Sequence, residues 1–472
     1  MATAVPSPLL SAPIGPTLIR LAAPNIVSMV LSSLTIMTEA FFIGQLGTAA
    51  LAGLALAFPM MMLMGMLSAG AFGGTITGAV ARRLGAGDRA GAEELAVHAL
   101  ALMLAMGLGC SVLFLLFGRS IYGGLGGSGA VLEQALAYSD MLFVGIASLW
   151  LSNSLAAIVR ATGNMGVAAR VGVLGSLLQI SCGGALVFGL GPLPRLGIAG
   201  AAAGVLIAST TSTVLMLFYL SRRCPQLRLH GSGFRLHWAP MAGILRIGGL
   251  AALNPLCTLA AILVITSAMA RFGTDVLAGY GIGARLELLV VPMVFGLGAA
   301  STAMVGVNFG AGAIARAHHI GWTAAFYSAL LAGSIGAVVA LFPQLWADLF
   351  TADAEVRSAA RAYVQMVAPF YAFFGIATCL YFASQGAGRV LWPVLAALVR
   401  VLVIAAGSAW LAGVVDARPI QYFALIAAGM VAHALISAAA IQLGAWTGRA
   451  APVPASHSRG DRVLFGGGRD HR

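Results

Sequence analysis

The sequence predicts an all-α integral membrane protein whose twelve transmembrane helices form two parallel six-helix repeats. Of its 472 residues, 60% are hydrophobic and only 8% are charged, whereas soluble domains carry roughly 25% charged residues. Apolar runs long enough to cross a hydrocarbon core of about 30 Å recur along the whole chain. Segments of the first half also reappear in the second half, which indicates an internal duplication.

The spans follow one another with short connections, and Gly and Pro mark most of their ends. Their predicted limits are about 16–43, 50–81, 92–117, 132–158, 166–190, 197–220, 240–271, 276–308, 316–341, 355–383, 391–413 and 418–446. The chain therefore divides into an N-terminal segment, a first bundle, a linker, a second bundle and a tail. Their limits are 1–15, 16–220, 221–239, 240–446 and 447–472. The tail is polar and rich in Gly and Pro, so we expect it to be disordered.

The basic residues are all arginines, and they predict the orientation. One set of loops, which includes 82–89, the linker and the tail, is richer in arginine than the opposite set. This asymmetry places that set in the cytoplasm, with both termini inside. It also accounts for the net charge of +12 without a nucleic-acid partner. His230 and His237 in the linker are interpreted as parts of a solvated basic loop, and no metal site is expected.

The duplication is visible in two pairs of segments. GQLGTAALAG at 44–53 matches ARFGTDVLAG at 270–279, and residues 137–163 match 362–388, each beginning with Ala-Tyr. Because six spans per half return the chain to the side where it began, the two halves are parallel repeats about an axis normal to the membrane. Two bundles with a cleft between them are typical of an alternating-access transporter.

Polar residues follow one face of the first span. Spacings of three and four residues place them together on a helix; they are Asn25, Ser28, Ser32, Thr35 and Glu39. Such a stripe is costly against lipid, so we expect it to face the protein interior or a wet cavity. Pro24 lies on the same span and is predicted either to bend it during function or to impose a static kink.

Glu39 is the predicted coupling residue, because an ionisable group inside a span indicates a functional site. At the equivalent place in the second half stands Ile265, so the acid occurs in one half only. Gln179 is expected to accompany Glu39. Asp140 is interpreted either as a second relay group or as an interfacial charge.

The second half has its own charges inside predicted spans, Glu287 and Arg400. We predict that they either form a structural ion pair or contact a substrate or proton. The predicted cavity is lined by these two residues and by neutral polar ones: Ser28, Ser32, Thr35, Asn153, Asn254 and Thr258. Methionines at 60–66 suit a promiscuous apolar cleft, although ordinary packing explains them equally well.

Several motifs in order resemble one family. They are LAAP at 21–24 followed by Glu39 before Gly44, the Gly-Ala turns at 84–87 and 308–312, YGIGARLE at 280–287, RATG at 160–163 and LGIAGAA at 196–202. This set, over nearly all of 16–446, resembles the multidrug and toxic compound extrusion (MATE) transporters.

The resemblance implies a secondary antiporter, without enzyme activity or cofactor, that exports amphipathic and often cationic compounds in exchange for protons or sodium ions. The acid in the family's first span corresponds to Glu39. The acids that some members carry in the seventh and tenth spans have no counterpart in 254–269 and 369–384, which favours protons. We expect a monomer in a bacterial inner membrane. The alternative is a lipid-linked precursor flippase of related fold, which would favour a strongly cationic cavity and usually extra spans.

Overall fold

The computed structural model describes residues 8–229 and 236–447. Within these ranges eleven helices are long and apolar enough to cross a membrane, and the count is twelve when the pair Gly129–Val144 and Ile146–Ala161, bent by 53°, is taken as one broken span. The predicted all-α fold of twelve spans is confirmed. His230 and nearly all of the predicted disordered tail lie outside the described residues.

The first half contains α1 (Pro8–Ser11), α2 (Ile14–Gly44), α3 (Thr48–Gly65), α4 (Gly73–Gly85), α5 (Arg89–Gly124), α6 (Gly129–Val144), α7 (Ile146–Ala161), α8 (Met165–Phe188) and α9 (Ile198–Arg222). The second half contains α10 (Trp238–Ala270), α11 (Thr274–Ala284), α12 (Glu287–Gly310), α13 (Ile314–Leu341), α14 (Gln344–Ala347), α15 (Ala354–Val367), α16 (Tyr371–Ala387), α17 (Leu391–Ala412) and α18 (Pro419–Gln442). A π-helical segment, Met66–Phe72, joins α3 to α4, and a 3-10 turn, Ala368–Phe370, joins α15 to α16.

Most helix ends lie within a few residues of their predicted positions. The largest difference is at the end of α5, which was predicted at 117 and is found at Gly124. Helical hydrogen bonding does not stop where apolar composition stops, and Arg119 near this end pairs with Glu133 of α6 at 2.8 Å.

The N-terminal segment is packed against the bundle. Leu9 of α1 is buried, and its carbonyl accepts a hydrogen bond from Asn308 Nδ2 at 3.0 Å. Arg316 at the start of α13 donates to the carbonyl of Ala12. The N-terminal segment is therefore attached to the end of α12 and the start of α13 before α2 enters the bundle.

The duplication extends to single hydrogen bonds. In the first half Thr77 Oγ1 of α4 donates to the carbonyl of Ala157 on α7 at 3.0 Å. In the second half Thr302 Oγ1 of α12 donates to the carbonyl of Phe382 on α16 at 2.9 Å. Both donors and both acceptors are separated by the shift of the repeat, so this contact is the same in both halves.

The two halves are in close contact at the arginine-rich side, where α4, α12 and α16 meet. A Cβ atom on Gly85 would lie 2.0 Å from the carbonyl oxygen of Val307, and one on Gly310 would lie 2.0 Å from that of Arg82. The Arg82 guanidinium donates across the interface to the carbonyl of Gly386 at 2.6 Å. Glycine is required here because backbone meets backbone without space for a side chain.

At the other end of the same spans the helices pack within their own halves. α3 packs on α6, and α11 packs on α15. A cavity of about 370 Å³ lies between the halves above the closure, and we call it the central cavity. The contact between the halves at Gly85 and Gly310 therefore closes the arginine-rich side.

Candidate functional site

Glu39 is buried inside the first half, with 7% of its surface exposed. Its Oε1 accepts a hydrogen bond from the Tyr138 hydroxyl of α6 at 2.8 Å. Its Oε2 accepts one from Gln179 Nε2 of α8 at 2.7 Å. The Tyr138 hydroxyl also lies 3.0 Å from Met61 Sδ of α3. We call these four residues the Glu39 cluster.

The Glu39 cluster borders a void of about 10 Å³, which is the space of about one water molecule. Thr35, Phe42 and the small residues Gly183 and Gly184 of α8 complete its walls. In the part of the chain that the structure describes, neither an arginine nor a histidine lies within 4.0 Å of the carboxylate. The site therefore holds an acid with neutral donors and no countercharge.

The polar stripe of α2 faces α8. A different face of α2 lines the central cavity. A Cβ on Gly172 would lie 2.3 Å from Ser28 Oγ, and Ser32 Oγ is 3.5 Å from Ser176 Oγ. The expected cavity role of Ser28, Ser32 and Thr35 is thus not supported, since small residues of α8 let this face pack inside the bundle. Ser33, on a different face of α2, lines the central cavity.

Asp140 does not join Glu39. The side chain is exposed on α6, because the helix turns it away from the face that carries Tyr138. The interpretation of Asp140 as a partner of Glu39 is therefore not supported by the geometry. Gln179, which was expected beside Glu39, is in direct contact with it.

Pro24 lies within α2, which runs as one helix from Ile14 to Gly44. Because proline has no backbone N–H, α2 lacks one of its helical hydrogen bonds at this position. Whether the position bends during function remains a prediction.

The central cavity belongs mainly to the second half. The first half contributes five lining residues: Ser33, Met62, Met66, Gly70 and Ala71. Four of the predicted polar residues line it, namely Asn254, Thr258, Glu287 and Arg400. Asn153 does not, because its Nδ2 donates to Ser68 Oγ within the first half at 2.8 Å.

Among the described residues Glu287 and Arg400 do not approach within 4.0 Å, so this structure shows no direct ion pair between them, and the alternative that they contact a substrate or proton stays a prediction. Glu287 Oε1 instead accepts from the Tyr363 hydroxyl at 2.9 Å. Arg400 Nη2 donates to Thr258 Oγ1 at 2.7 Å. Each charge is held by a neutral hydroxyl of its own and both face the cavity.

The two tyrosines are the site residues that the sequence analysis missed. Tyr138 and Tyr363 each donate to an acid inside the bundle, and the repeat places them at equivalent positions. The signal was present in the Ala-Tyr that opens both matched segments, but a tyrosine in a span also suits ordinary packing.

The described residues contain no group of three or more His, Cys, Asp or Glu side chains that could hold a metal ion. The chemistry available in the described site is therefore that of isolated acids, one guanidinium and neutral hydrogen-bonding groups. Such groups bind and release protons and polar ligands.

A comparison with family models matches the chain to MatE in two segments, residues 24–184 and 251–411. The two segments fall in the two halves of the fold. The match thus reproduces the duplication seen in the hydrogen bonds.

Among curated proteins the chain is similar to an FAD transporter of Shewanella oneidensis, with 27% identity over 78% of this chain and 81% of that protein. It is also similar to the probable multidrug resistance protein NorM of Thermotoga maritima, with 24% identity over 81% and 82% of the two chains. The probable multidrug resistance protein NorM of Deinococcus radiodurans shows 26% identity over 83% of this chain and 86% of that protein.

Solved structures share the fold. The crystal structure of MATE in the straight conformation superposes with a TM-score of 0.86 at 22% identity, over 94% of this chain and 98% of that one. A structure described as the outward-facing conformation of a multidrug resistance MATE family transporter gives 0.86 at 22% identity, over 94% and 99%.

Proposed function

The chain belongs to the MATE family of membrane transporters, and from this premise we propose that it exports amphipathic compounds in exchange for protons bound at Glu39. MATE proteins are transporters and not enzymes, which agrees with the isolated polar groups of the site. The structure corresponds in this proposal to the state open to the outside, because the closure lies on the arginine-rich, predicted cytoplasmic side.

The observation that carries the proposal is the Glu39 cluster. A buried carboxylate without a countercharge is unfavourable, and two neutral donors offset only part of that penalty. A single proton removes the charge. Sodium requires several oxygen ligands, whereas the void beside Glu39 has room for about one water molecule and both close neighbours point donors at the acid.

Two helices connect the Glu39 cluster with the central cavity. On α2, Glu39 lies in the cluster and Ser33 faces the cavity. On α3, Met61 contacts Tyr138 and Met62 lines the cavity. A change of charge at Glu39 alters the packing of the same helices that form one wall of the cavity. A proton and a substrate can thereby favour different arrangements of that wall.

The alternative of a lipid-linked precursor flippase predicted a strongly cationic cavity. The central cavity contains one guanidinium, Arg400, and one carboxylate, Glu287. This balance does not favour a large polyanionic substrate.

The test is proton-driven transport of ethidium by the full chain in sealed vesicles, with Glu39→Gln compared with Asp140→Asn. We expect Glu39→Gln to lower transport driven by a pH gradient about 100-fold, because the amide cannot exchange a proton. Asp140→Asn is exposed on the same bundle and should change the rate less than about 2-fold.

An imposed sodium gradient without a pH gradient should drive little transport. Full pH-driven activity of Glu39→Gln at equal protein level, or strong drive by sodium alone, would contradict the proposal.

A further inference from the structure

The central cavity holds a buried guanidinium whose hydrogen-bonding capacity is largely unused. Arg400 has 8% of its surface exposed, and its Nη2 donates to Thr258 Oγ1. Its Nε is buried with no hydrogen-bond partner among the described residues. A guanidinium carries five N–H donors, so a buried one with a single neutral partner is left under-satisfied.

A second unsatisfied group lies beside it. His433 of α18 also lines the cavity, with 4% of its surface exposed, and its Nε2 has no hydrogen-bond partner in the described chain. Two other arginines, Arg316 and Arg361, also have a buried Nε without a hydrogen-bond partner among the described residues, but Arg400 differs from them in lining the central cavity.

The other side of the cavity accepts hydrogen bonds. Glu287 is half-buried, and Tyr363 orients its carboxylate from one oxygen. Aromatic rings of Tyr280, Phe295 and Phe374 form parts of the wall. The cavity thus presents an anion-binding corner, an acidic group and aromatic faces within a volume suited to a drug-sized ligand.

We propose that Arg400 binds the anionic group of an aromatic substrate that carries a carboxylate or a phosphate. Glu287 accepts a donor group elsewhere on the same ligand, and the rings contact its aromatic system. This inference rests on the proposed function, in which the central cavity binds the substrate. The inference adds a preference for aromatic anions, although the charges of Arg400 and Glu287 in the cavity sum to zero.

The experiment measures binding of riboflavin and riboflavin 5′-phosphate to the purified full chain in lipid nanodiscs by quenching of flavin fluorescence. The two probes share the ring and differ in the phosphate. We expect the phosphate ester to bind about 10- to 100-fold more tightly, because charge-assisted hydrogen bonds to a desolvated guanidinium are strong. Arg400→Gln should remove this preference and leave riboflavin binding within about 3-fold of its original value.

Arg400→Lys keeps the charge and should retain part of the preference, which separates recognition from folding. Arg361→Gln, which changes an arginine of the same half outside the cavity lining, should leave both affinities unchanged. Equal binding of the two probes by the unmodified protein, or a preference that survives in Arg400→Gln, overturns the inference. If Arg400→Gln does not fold, a reduced preference in Arg400→Lys supports the inference and an undiminished preference in Arg400→Lys overturns it, because Lys keeps the charge but cannot reproduce the guanidinium fork.

Failure here is distinguishable from failure of the proposed function. Proton-driven ethidium transport that requires Glu39, together with equal flavin affinities, rejects only the role of Arg400. Absence of proton-driven transport with an intact phosphate preference rejects the coupling and keeps the binding site.

Discussion

The two halves place the same tyrosine in front of an acid, but the acids come from different helices. In the first half Tyr138 donates to Glu39 of α2 and contacts Met61 of α3. In the second half Tyr363 donates to Glu287, which occupies the repeat position of Met61. The tyrosine donor therefore occurs at equivalent positions in both halves, whereas its acidic partner stands on a different neighbouring helix in each half.

The surroundings of the two acids differ as well. Glu39 is sealed, with donors on both oxygens and a void for about one water molecule. Glu287 is half-buried and lines a cavity of about 370 Å³. An acid enclosed by protein atoms has room to bind only an ion as small as a proton, whereas an acid on a cavity wall has room to contact a larger ligand. One duplicated frame thus provides two sites that can take different roles.

The largest effect is expected at the glycine contacts that join the two halves on the arginine-rich side. Substitutions there test whether the two halves contribute equally to this contact. Gly85→Val and Gly310→Val should each lower ethidium transport about 100-fold, because each side chain meets a carbonyl oxygen of the opposite half and overpacking costs about 1–3 kcal/mol. The measurement is the initial rate in vesicles at matched protein level.

The control is Gly249→Ala, since no atom lies within 4 Å of its Cβ position. Markedly unequal losses in the two valine variants would show that the closure is not used symmetrically by the two halves.

A smaller effect separates the two acids. Glu287→Gln should weaken ethidium binding about 10-fold, because the cavity loses its carboxylate, while the remaining transport stays dependent on the pH gradient. Transport by Glu39→Gln should lose that dependence. Both are measured with the same vesicles, and loss of the pH dependence in Glu287→Gln would mean that coupling is shared between the halves.

The smallest effect concerns the tyrosines. Tyr138→Phe removes one donor from the ionised Glu39 and should move the pH of half-maximal transport upward by about one unit, with a rate change of about 3- to 10-fold. Tyr363→Phe should leave that pH unchanged, because its partner is the cavity acid. The measurement is the pH profile of ethidium transport; equal shifts in both variants would remove the distinction between the two acids.

The sequence predicted the Glu39 site in part. Glu39 and Gln179 were expected together, and they are in contact. Polar groups inside membrane spans have few other hydrogen-bond partners available. Tyr138 and Asp140 are two residues apart on α6, so they point in different directions. Only the rotation of α6 decided which of them reaches Glu39.

The second half shows the same limit. Opposite charges in neighbouring spans favoured an ion pair of Glu287 and Arg400. The structure gives each a neutral hydroxyl partner and leaves space between them, because helix separation around a cavity is not encoded in spacing along either helix.

By itself the sequence determined the twelve spans, the duplication and the residues that cannot face lipid, since the hydrophobic effect and the backbone's need for hydrogen bonds act on every segment locally. The tertiary structure alone decided which face of α2 meets α8, which acid is sealed and which lines the cavity. Those outcomes depend on the approach of several helices at once, through contacts such as Gly172 against Ser28. No periodicity within a single span specifies the distance to its neighbour.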